Sequence, residues 1–231
     1  MNSNGNHAIA AGCNCCGLSR RGLLWTGLAA ALAAPLRAAA QTSLPPAAAM
    51  QALLDGNKRF VAQRLTSFDE DLTILRQNTV AKQEPFAAVL SCADSRVPVE
   101  LLFDQSIGHL FVTRVAGNVA TSEIIASLEY GATVLGTAAI MVLGHSGCGA
   151  VKATIEGKAV PGQISGLYAP IRPAVAAAGS DLEAVVKANA KIQANLLATA
   201  SPLLAGLIKD GKLQIAAGYY DLGSGAVSVL S

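Results

Sequence analysis

Short apolar runs alternate with longer segments of helical periodicity along most of this chain, and this alternation constrains its fold more than any other feature. The runs that we interpret as strands cover residues 86–91, 109–115, 138–143, 212–220 and 226–230. Runs without polar interruption are typical of strands buried on both faces of a sheet. Because helices fall between them, the sequence predicts one α/β domain with a mainly parallel central sheet flanked by helices.

The predicted helices fill the intervals between the strands, and an amphipathic helix precedes them all. They cover residues 47–65, 121–134, 150–156, 164–178 and 181–209. The last two strands, joined through 221–225, can pair as a hairpin at one edge of the sheet. Hydrophobic residues make up 52% of the chain, which is enough for a sizeable core and excludes a disordered chain.

The first 40 residues have the composition of an export signal. They contain no acidic residue, and Arg20-Arg21 precedes an apolar stretch, 22–34, that is too short to span a bilayer. Residues 38–40 are all alanine and offer a cleavage site. Paired arginines are typical of twin-arginine signals, so we expect residues 1–40 to be removed on export to the periplasm and 41–231 to be the folded domain. The alternative, a helix of that domain, is disfavoured because the stretch lacks a polar face.

Removing this leader changes the charge and leaves few metal-binding side chains. Three of the seventeen basic residues lie in the leader, so fourteen remain against fifteen acidic residues, and the net charge changes from +2 to −1. Neither value favours nucleic acid as a partner, and we expect no membrane span after the leader. Soft or imidazole ligands must therefore come from Cys92, Cys148, His109 and His145.

Both remaining cysteines lie where a predicted strand ends. Cys92 opens the motif Cys-Ala-Asp-Ser-Arg after the first strand, and His145 opens His-Ser-Gly-Cys-Gly after the third. Open parallel sheets bind ligands at the carboxyl ends of their strands, so the two motifs are expected to meet. Two thiolates and one imidazole suit Zn²⁺, and three protein ligands leave a position for water. This is the pattern of a catalytic zinc site.

Other interpretations of the two cysteines remain open at this point. Each can be a small buried hydrophobic residue, or the two can form a redox pair or a structural disulfide. Cys92 and Cys148 are 56 residues apart, unlike the Cys-x-x-Cys spacing of redox motifs. A disulfide does not need the Asp94–Arg96 pair beside Cys92 or the glycines around Cys148. These neighbours favour the metal site.

The two motifs and their surroundings resemble those of the β-class carbonic anhydrases. The likeness is carried by SCADSRVPVELLFDQSIGHLFVTRVAGNV (91–119), VLGHSGCGAVKA (142–153), EYG (129–131) and YYDLGSGAVSVL (219–230). It implies the fold of that family, one Zn²⁺ per chain held by Cys92, His145 and Cys148, and reversible hydration of CO₂ to bicarbonate. It also implies a homodimer or homotetramer, with the N-terminal helix crossing onto the partner and the active sites near the interface.

Asp94 and Arg96 match a catalytic dyad of the same family. The resemblance implies that Asp94 accepts a hydrogen bond from the zinc-bound hydroxide that attacks CO₂, while Arg96 keeps the carboxylate ionised and aimed. Two thiolates cancel the formal charge of Zn²⁺ and weaken its effect on bound water, and the dyad can offset this. In some members the aspartate itself binds the metal in a closed state.

Four further positions match residues of the family's substrate pocket. Gln83 matches a glutamine that hydrogen-bonds the substrate, Phe111 and Tyr130 match aromatic lining residues, and Gly149 matches a backbone N–H donor to bicarbonate. Two other functions remain open: hydrolysis of CS₂ or COS on the same scaffold, and a zinc-binding or redox-sensing module without turnover. The dyad argues against such a module, because binding alone does not require a carboxylate that orients hydroxide.

Overall fold

The computed structural model describes residues 42–67, 76–77 and 79–231 of the chain. The predicted export signal, residues 1–40, lies outside this part. Within the described residues, no helix has both the length and the apolar character needed to cross a membrane.

A mainly parallel sheet lies at the centre of the fold. Its strands are β1 (Ala87–Ser91), β2 (Leu110–Arg114), β3 (Ala139–His145), β4 (Gln214–Tyr220) and β5 (Val227–Leu230). Their order is β2-β1-β3-β4-β5; β5 runs antiparallel to β4, and every other pair is parallel. β1 and β3 are buried along their whole length, which explains their uninterrupted apolar sequences. The predicted α/β class, central sheet and edge hairpin are confirmed.

Helices cover both faces of this sheet. They are α1 (Pro46–Val61), α2 (Val99–Leu102), α3 (Ser122–Thr133), α4 (Gly149–Glu156), α5 (Tyr168–Ala178), α6 (Leu182–Ala200) and α7 (Pro202–Lys209), with a 3₁₀ turn at Ile164–Leu167. Successive strand side chains point to opposite faces. Val89 and Met141 therefore pack with α1 and α2, whereas Leu90 and Ile140 pack with α3, α6 and α7.

Two segments differ from the sequence prediction. The helix expected over 181–209 is two helices, α6 and α7, which meet at Ser201. Pro202 lacks the backbone N–H that a continuous helix needs, and the Ser201 hydroxyl accepts the N–H of Leu204 at 3.1 Å and caps α7. The short helix α2 was not expected, because four residues are too few to show helical periodicity.

Candidate metal centre

The parallel pairing of β1 with β3 brings the two cysteine motifs to one edge of the sheet. Ser91 of β1 is in register with Leu143 of β3. Cys92 follows Ser91 directly, and His145 lies two residues after Leu143, so the two residues lie at the same end of neighbouring strands. Cys148 directly precedes α4. A sulfur atom from each cysteine and a ring nitrogen of His145 lie within 4.8 Å of one another, and all three residues are buried. The three predicted ligands therefore form one cluster that can hold a metal ion.

The imidazole of His145 presents one free nitrogen to this cluster. Its Nδ1 lies 2.9 Å from the carbonyl oxygen of Ser146, which can only accept, so Nδ1 carries the proton. The side chain is fully buried, and Nε2 has no hydrogen-bond partner among the described residues. Leaving such an atom unpaired costs about 1–3 kcal/mol. A metal ion that takes its lone pair removes this cost.

The two thiols behave as one ionisable pair. Cys148 donates to the sulfur of Cys92 and thereby lowers the pKa of Cys92, and the backbone N–H of Gly117 adds a second donor at 3.3 Å. Cys148 keeps the proton of this hydrogen bond. The hydrogen bond to Cys92, together with burial, raises the pKa of Cys148. Both cysteines are free thiols. A divalent cation would replace the remaining proton and balance both sulfur charges.

Asp94 lies beside the cluster and is held by Arg96. Nε of Arg96 donates to Oδ1 at 2.9 Å, Nη2 donates to Oδ2 at 2.7 Å, and the backbone N–H of Arg96 donates to Oδ1 at 2.9 Å. These hydrogen bonds from Arg96 hold the pKa of Asp94 well below its ordinary value. Asp94 is therefore ionised, and it stays outside the set of ligand atoms that lie within 4.8 Å of one another.

Two arginines hold the backbone around the cluster, and the sequence predicted a role for only one of them, Arg96. Nη2 of Arg96 donates to the carbonyl of Gly147 at 3.3 Å and so joins the first motif to the second. Arg114 at the end of β2 donates through Nε to the carbonyl of Cys92 at 2.9 Å and through Nη2 to the carbonyl of Asp94. Its register opposite Ser91 explains this reach, and only the strand pairing reveals it.

The predicted aromatic pocket residues lie away from the cluster within one chain. Phe111 of β2 is in register with Ala88, four residues and roughly 13 Å before Cys92 on a rise of about 3.3 Å per residue. Its ring centroid is 6.3 Å from that of Tyr130 on α3, and Tyr130 is 47% exposed. Gln83 is exposed in the segment before β1. The structure pairs the two aromatic residues but does not bring these three residues to the cysteines.

Gly149, in contrast, lies next to the cluster. It is the first residue of α4 and directly follows Cys148. No atom lies within 4 Å of the position that a Cβ would occupy, so this end of the helix is open. The backbone N–H groups of a first helical turn lack partners within the helix and attract anions. The position suits the predicted role of an N–H donor to bicarbonate.

Residues 87–227 match the family model described as "Carbonic anhydrase". A carbonic anhydrase of Pseudomonas aeruginosa is 32% identical over 198 residues, which cover 78% of this chain and 87% of that protein. The carbonic anhydrase of Mycolicibacterium smegmatis is 42% identical over 134 residues, which cover 56% of this chain. This chain spans 65% of the length of the M. smegmatis protein and 53% of carbonic anhydrase 2 of Mycobacterium tuberculosis.

Solved structures agree with the sequence comparisons. The β-carbonic anhydrase CafA of Aspergillus fumigatus superposes with a TM-score of 0.64 and 26% identity, covering 79% of this chain and 90% of that one. The Coccomyxa β-carbonic anhydrase superposes with a TM-score of 0.62 and 26% identity, covering 77% and 84%. With more than half of its length matched by the family model and its fold shared with these structures, the chain belongs to the β-carbonic anhydrase family.

Proposed function

We propose that this protein is a zinc-dependent carbonic anhydrase that interconverts CO₂ and bicarbonate. The observation that carries this proposal is the buried cluster of Cys92, His145 and Cys148 with an ionised Asp94 beside it. Two sulfurs and one unpartnered imidazole nitrogen are a donor set without a function unless they bind a cation. The names of the curated relatives supply the substrate class.

The donor set fits zinc better than other common metals. Thiolate and imidazole ligands are those that Zn²⁺ prefers, whereas Mg²⁺ and Ca²⁺ prefer oxygen. Sulfur atoms of Cys92 and Cys148 and Nε2 of His145 would hold one ion per chain and leave one coordination position for solvent. When bound, the ion would lower the pKa of coordinated water and so supply a nucleophile, less strongly than with three neutral imidazoles because two thiolates cancel its formal charge.

Asp94 has the position and charge to orient that nucleophile. Its carboxylate lies at the edge of the cluster and is only partly exposed, at 18% of the side chain. Arg96 grips both oxygens, so the carboxylate cannot turn away or take up a proton near neutral pH. A carboxylate fixed in this way accepts a hydrogen bond from the attacking water. This hydrogen bond orients the water so that the free lone pair of its oxygen points at CO₂.

The end of α4 is suited to the anionic product. Bicarbonate carries a charge that CO₂ lacks, and the open N-terminus at Gly149 offers the N–H of this residue and a positive helix dipole, whereas the N–H groups of Ala150 and Val151 are directed at the sulfur of Cys148. Arg96 lies on the neighbouring motif, but its charge is paired with that of Asp94. The helix end is therefore the group that favours bicarbonate.

The proposal includes an assembly of two or four chains. Phe111, Tyr130 and Gln83 lie apart from the cluster of their own chain, and β2, which carries Phe111, is an edge strand of the sheet. A second copy at this edge would cover the exposed ring of Tyr130 and place aromatic side chains near a partner's cluster. Two β-carbonic anhydrases of Sordaria macrospora, whose structure shares the fold at 21% identity, are described as tetrameric.

Stopped-flow measurement of CO₂ hydration by the zinc-loaded protein tests the activity. We expect hydration well above the buffer rate, with COS and CS₂ hydrolysed slowly or not at all. Hydrolysis of COS or CS₂ without hydration of CO₂ would support the alternative hydrolase, and zinc binding without turnover of any of the three would support a binding module.

A further inference from the structure

A tight loop after β2 reaches the sulfur of Cys92. Its residue Gly117 has a φ of +77° and donates its backbone N–H to Cys92 Sγ at 3.3 Å. This positive φ would strain any residue with a side chain, and a Cβ here would lie 2.8 Å from Cδ1 of Ile171 on α5 and displace it. The sulfur therefore depends on the exact path of the loop for this hydrogen bond.

Two buried carboxamides on α6 hold the same loop by hydrogen bonds to its backbone. Asn189 and Gln193 are one helical turn apart and are 0% and 1% exposed. Asn189 donates through Nδ2 to the carbonyl of Gly117 at 2.9 Å, and Gln193 accepts the N–H of Ala120 at 2.9 Å. Gln193 also donates through Nε2 to Oδ1 of Asn189 at 3.2 Å. The two side chains thus brace both ends of the segment 117–120.

The orientation of both carboxamides follows from the backbone. The N–H of Ala120 can only donate, so the oxygen of Gln193 must face it, and the amide nitrogen of Gln193 faces the carbonyl of Pro170 at 3.1 Å. That nitrogen then makes Oδ1 of Asn189 the acceptor, which turns Nδ2 toward the carbonyl of Gly117. In this series of hydrogen bonds, from the N–H of Ala120 to the carbonyl of Gly117, each donor therefore faces an acceptor.

We propose that Asn189 is a positioning residue for the metal ligand Cys92, acting through Gly117. By fixing the Gly117 carbonyl, it keeps the N–H of the same residue on the Cys92 sulfur. That N–H withdraws charge from the sulfur and limits its rotation, so the thiolate binds metal from a prepared position. Groups that orient metal ligands in this way commonly change metal affinity by about 10- to 100-fold. The inference rests on the proposed metal-binding role of Cys92.

Asn189→Leu removes the donor and keeps the number and branching of the side-chain heavy atoms, and Asn57→Leu is its matched control. Asn57 on α1 also carries a buried carboxamide. Its Nδ2 donates to the carbonyls of Leu102 and Gly225, and its Oδ1 accepts the N–H of Val227. Both substitutions remove buried hydrogen bonds, so both should lower the melting temperature. Only Asn189 is linked to the cysteine sulfur.

Two readouts separate a positioning role from a purely structural one. The first is the zinc dissociation constant from competition with a chelator, which we expect to rise at least about tenfold in Asn189→Leu and to stay unchanged in Asn57→Leu. The second is the sulfur-to-Co²⁺ charge-transfer band of the cobalt-substituted protein, which we expect at lower energy in Asn189→Leu alone. Wild-type values of both in Asn189→Leu, or equal changes in Asn57→Leu, would overturn the proposal.

A second variant keeps the test decisive if Asn189→Leu does not fold. Gln193→Met leaves the donor of Asn189 in place but removes the groups that orient it, so an intermediate loss of zinc affinity and a smaller band shift are expected. A folded Gln193→Met protein with wild-type zinc affinity and spectrum would contradict the proposal. Neither readout uses CO₂, so a wild-type protein that binds zinc but does not hydrate CO₂ would refute the proposed function alone.

Discussion

Nε2 of His145 lies 3.9 Å from Oδ2 of Asp94, although both carboxylate oxygens of Asp94 accept hydrogen bonds from Arg96. The imidazole nitrogen has no other partner among the described residues, and the carboxylate is ionised. The unpartnered nitrogen of His145 and the charged carboxylate of Asp94 therefore lie close together, beside the sulfur atoms of Cys92 and Cys148. Under the proposed function, this arrangement makes His145 the metal ligand and Asp94 the group that orients the nucleophile.

Asp94→Asn should keep zinc and lose most CO₂ hydration. The amide has the same shape, but it cannot carry the negative charge that accepts a hydrogen bond from the attacking water, and Arg96 loses its ionic partner. Positioned proton-accepting groups contribute about 10²- to 10⁴-fold, so we expect a fall in kcat/KM of about 10²-fold or more. Stopped-flow kinetics together with the zinc content measure this. Near-wild-type turnover at full zinc occupancy would refute the role.

Cys148→Ser should lose the metal. A serine hydroxyl does not ionise near neutral pH and is a poor zinc ligand, so two ligands would remain of three. Elemental analysis after dialysis measures zinc per chain, with Lys152→Ala on the exposed side of α4 as the control that should retain one equivalent. If Cys148→Ser also retained one equivalent, Cys148 would not be a ligand.

Disrupting the exposed aromatic residue near the sheet edge should separate the chains. Tyr130→Lys places a charge on a surface that we expect a second copy to cover. Light scattering should give the mass of two or four chains for the wild type and a smaller mass for the variant, with lower activity at unchanged zinc content. Leu203→Lys, which changes an exposed apolar side chain on α7, is the control. A wild-type protein that is monomeric at all concentrations tested would contradict the proposed assembly.

A buried carboxylate should make the fold sensitive to acid. Burial alone would raise the pKa of Asp104, but hydrogen bonds from Arg59, Ser67 and Thr66 outweigh it and hold this pKa well below its ordinary value of 3.8. A lowered pKa in the folded state stabilises the fold above pH 3.8, and this stabilisation is lost as the pH falls below that value.

Asp104→Asn removes this titration. We expect the variant to be about 2–4 kcal/mol less stable at pH 7, with a shallower fall in the free energy of unfolding as the pH drops below 3.8. Asparagine also tolerates the positive φ of 46° at this position. Urea unfolding at several pH values measures both effects, with exposed Asp210→Asn as the control. Parallel curves for the wild type and Asp104→Asn would show that Asp104 is not responsible.

We predict that residues 1–40 act as a twin-arginine leader and direct export of the protein after it has folded. Replacing Arg20 and Arg21 with lysine should leave the protein in the cytosol, whereas the natural chain should reach the periplasm without residues 1–40. Folding before export would allow zinc to occupy the thiols of Cys92 and Cys148 before they meet an oxidising compartment. Cell fractionation with mass analysis of the processed chain measures this, and wild-type protein found only in cytosolic fractions would contradict it.

The strands and the cluster of Cys92, His145 and Cys148 were predictable from the sequence, because the strands show as local apolar patterns and the cluster follows from where those strands end. β1 and β3 are uninterrupted apolar runs, and parallel topology alone places Cys92 and His145 at the same edge. The division of the segment 181–209 into two helices could also have been predicted, because Pro202 lies inside it and proline interrupts a continuous helix.

The supports of the site were not predictable, because they depend on packing between distant segments. Asn189 and Gln193 lie in an Ala-rich helix, where amides are as compatible with a solvent face as with a buried one, and only the packing of α6 shows that they are buried. Arg114 reaches Cys92 only because β2 pairs with β1 in one register.

Zinc titration of CO₂ hydration tests the central claim most directly. The protein is stripped of metal with a chelator and returned to activity with increasing zinc, and the hydration rate is measured by stopped flow at each ratio. The account predicts a rate that rises in proportion to bound zinc and reaches its maximum at one ion per chain. A protein that binds one zinc per chain and hydrates CO₂ no faster than buffer would contradict it.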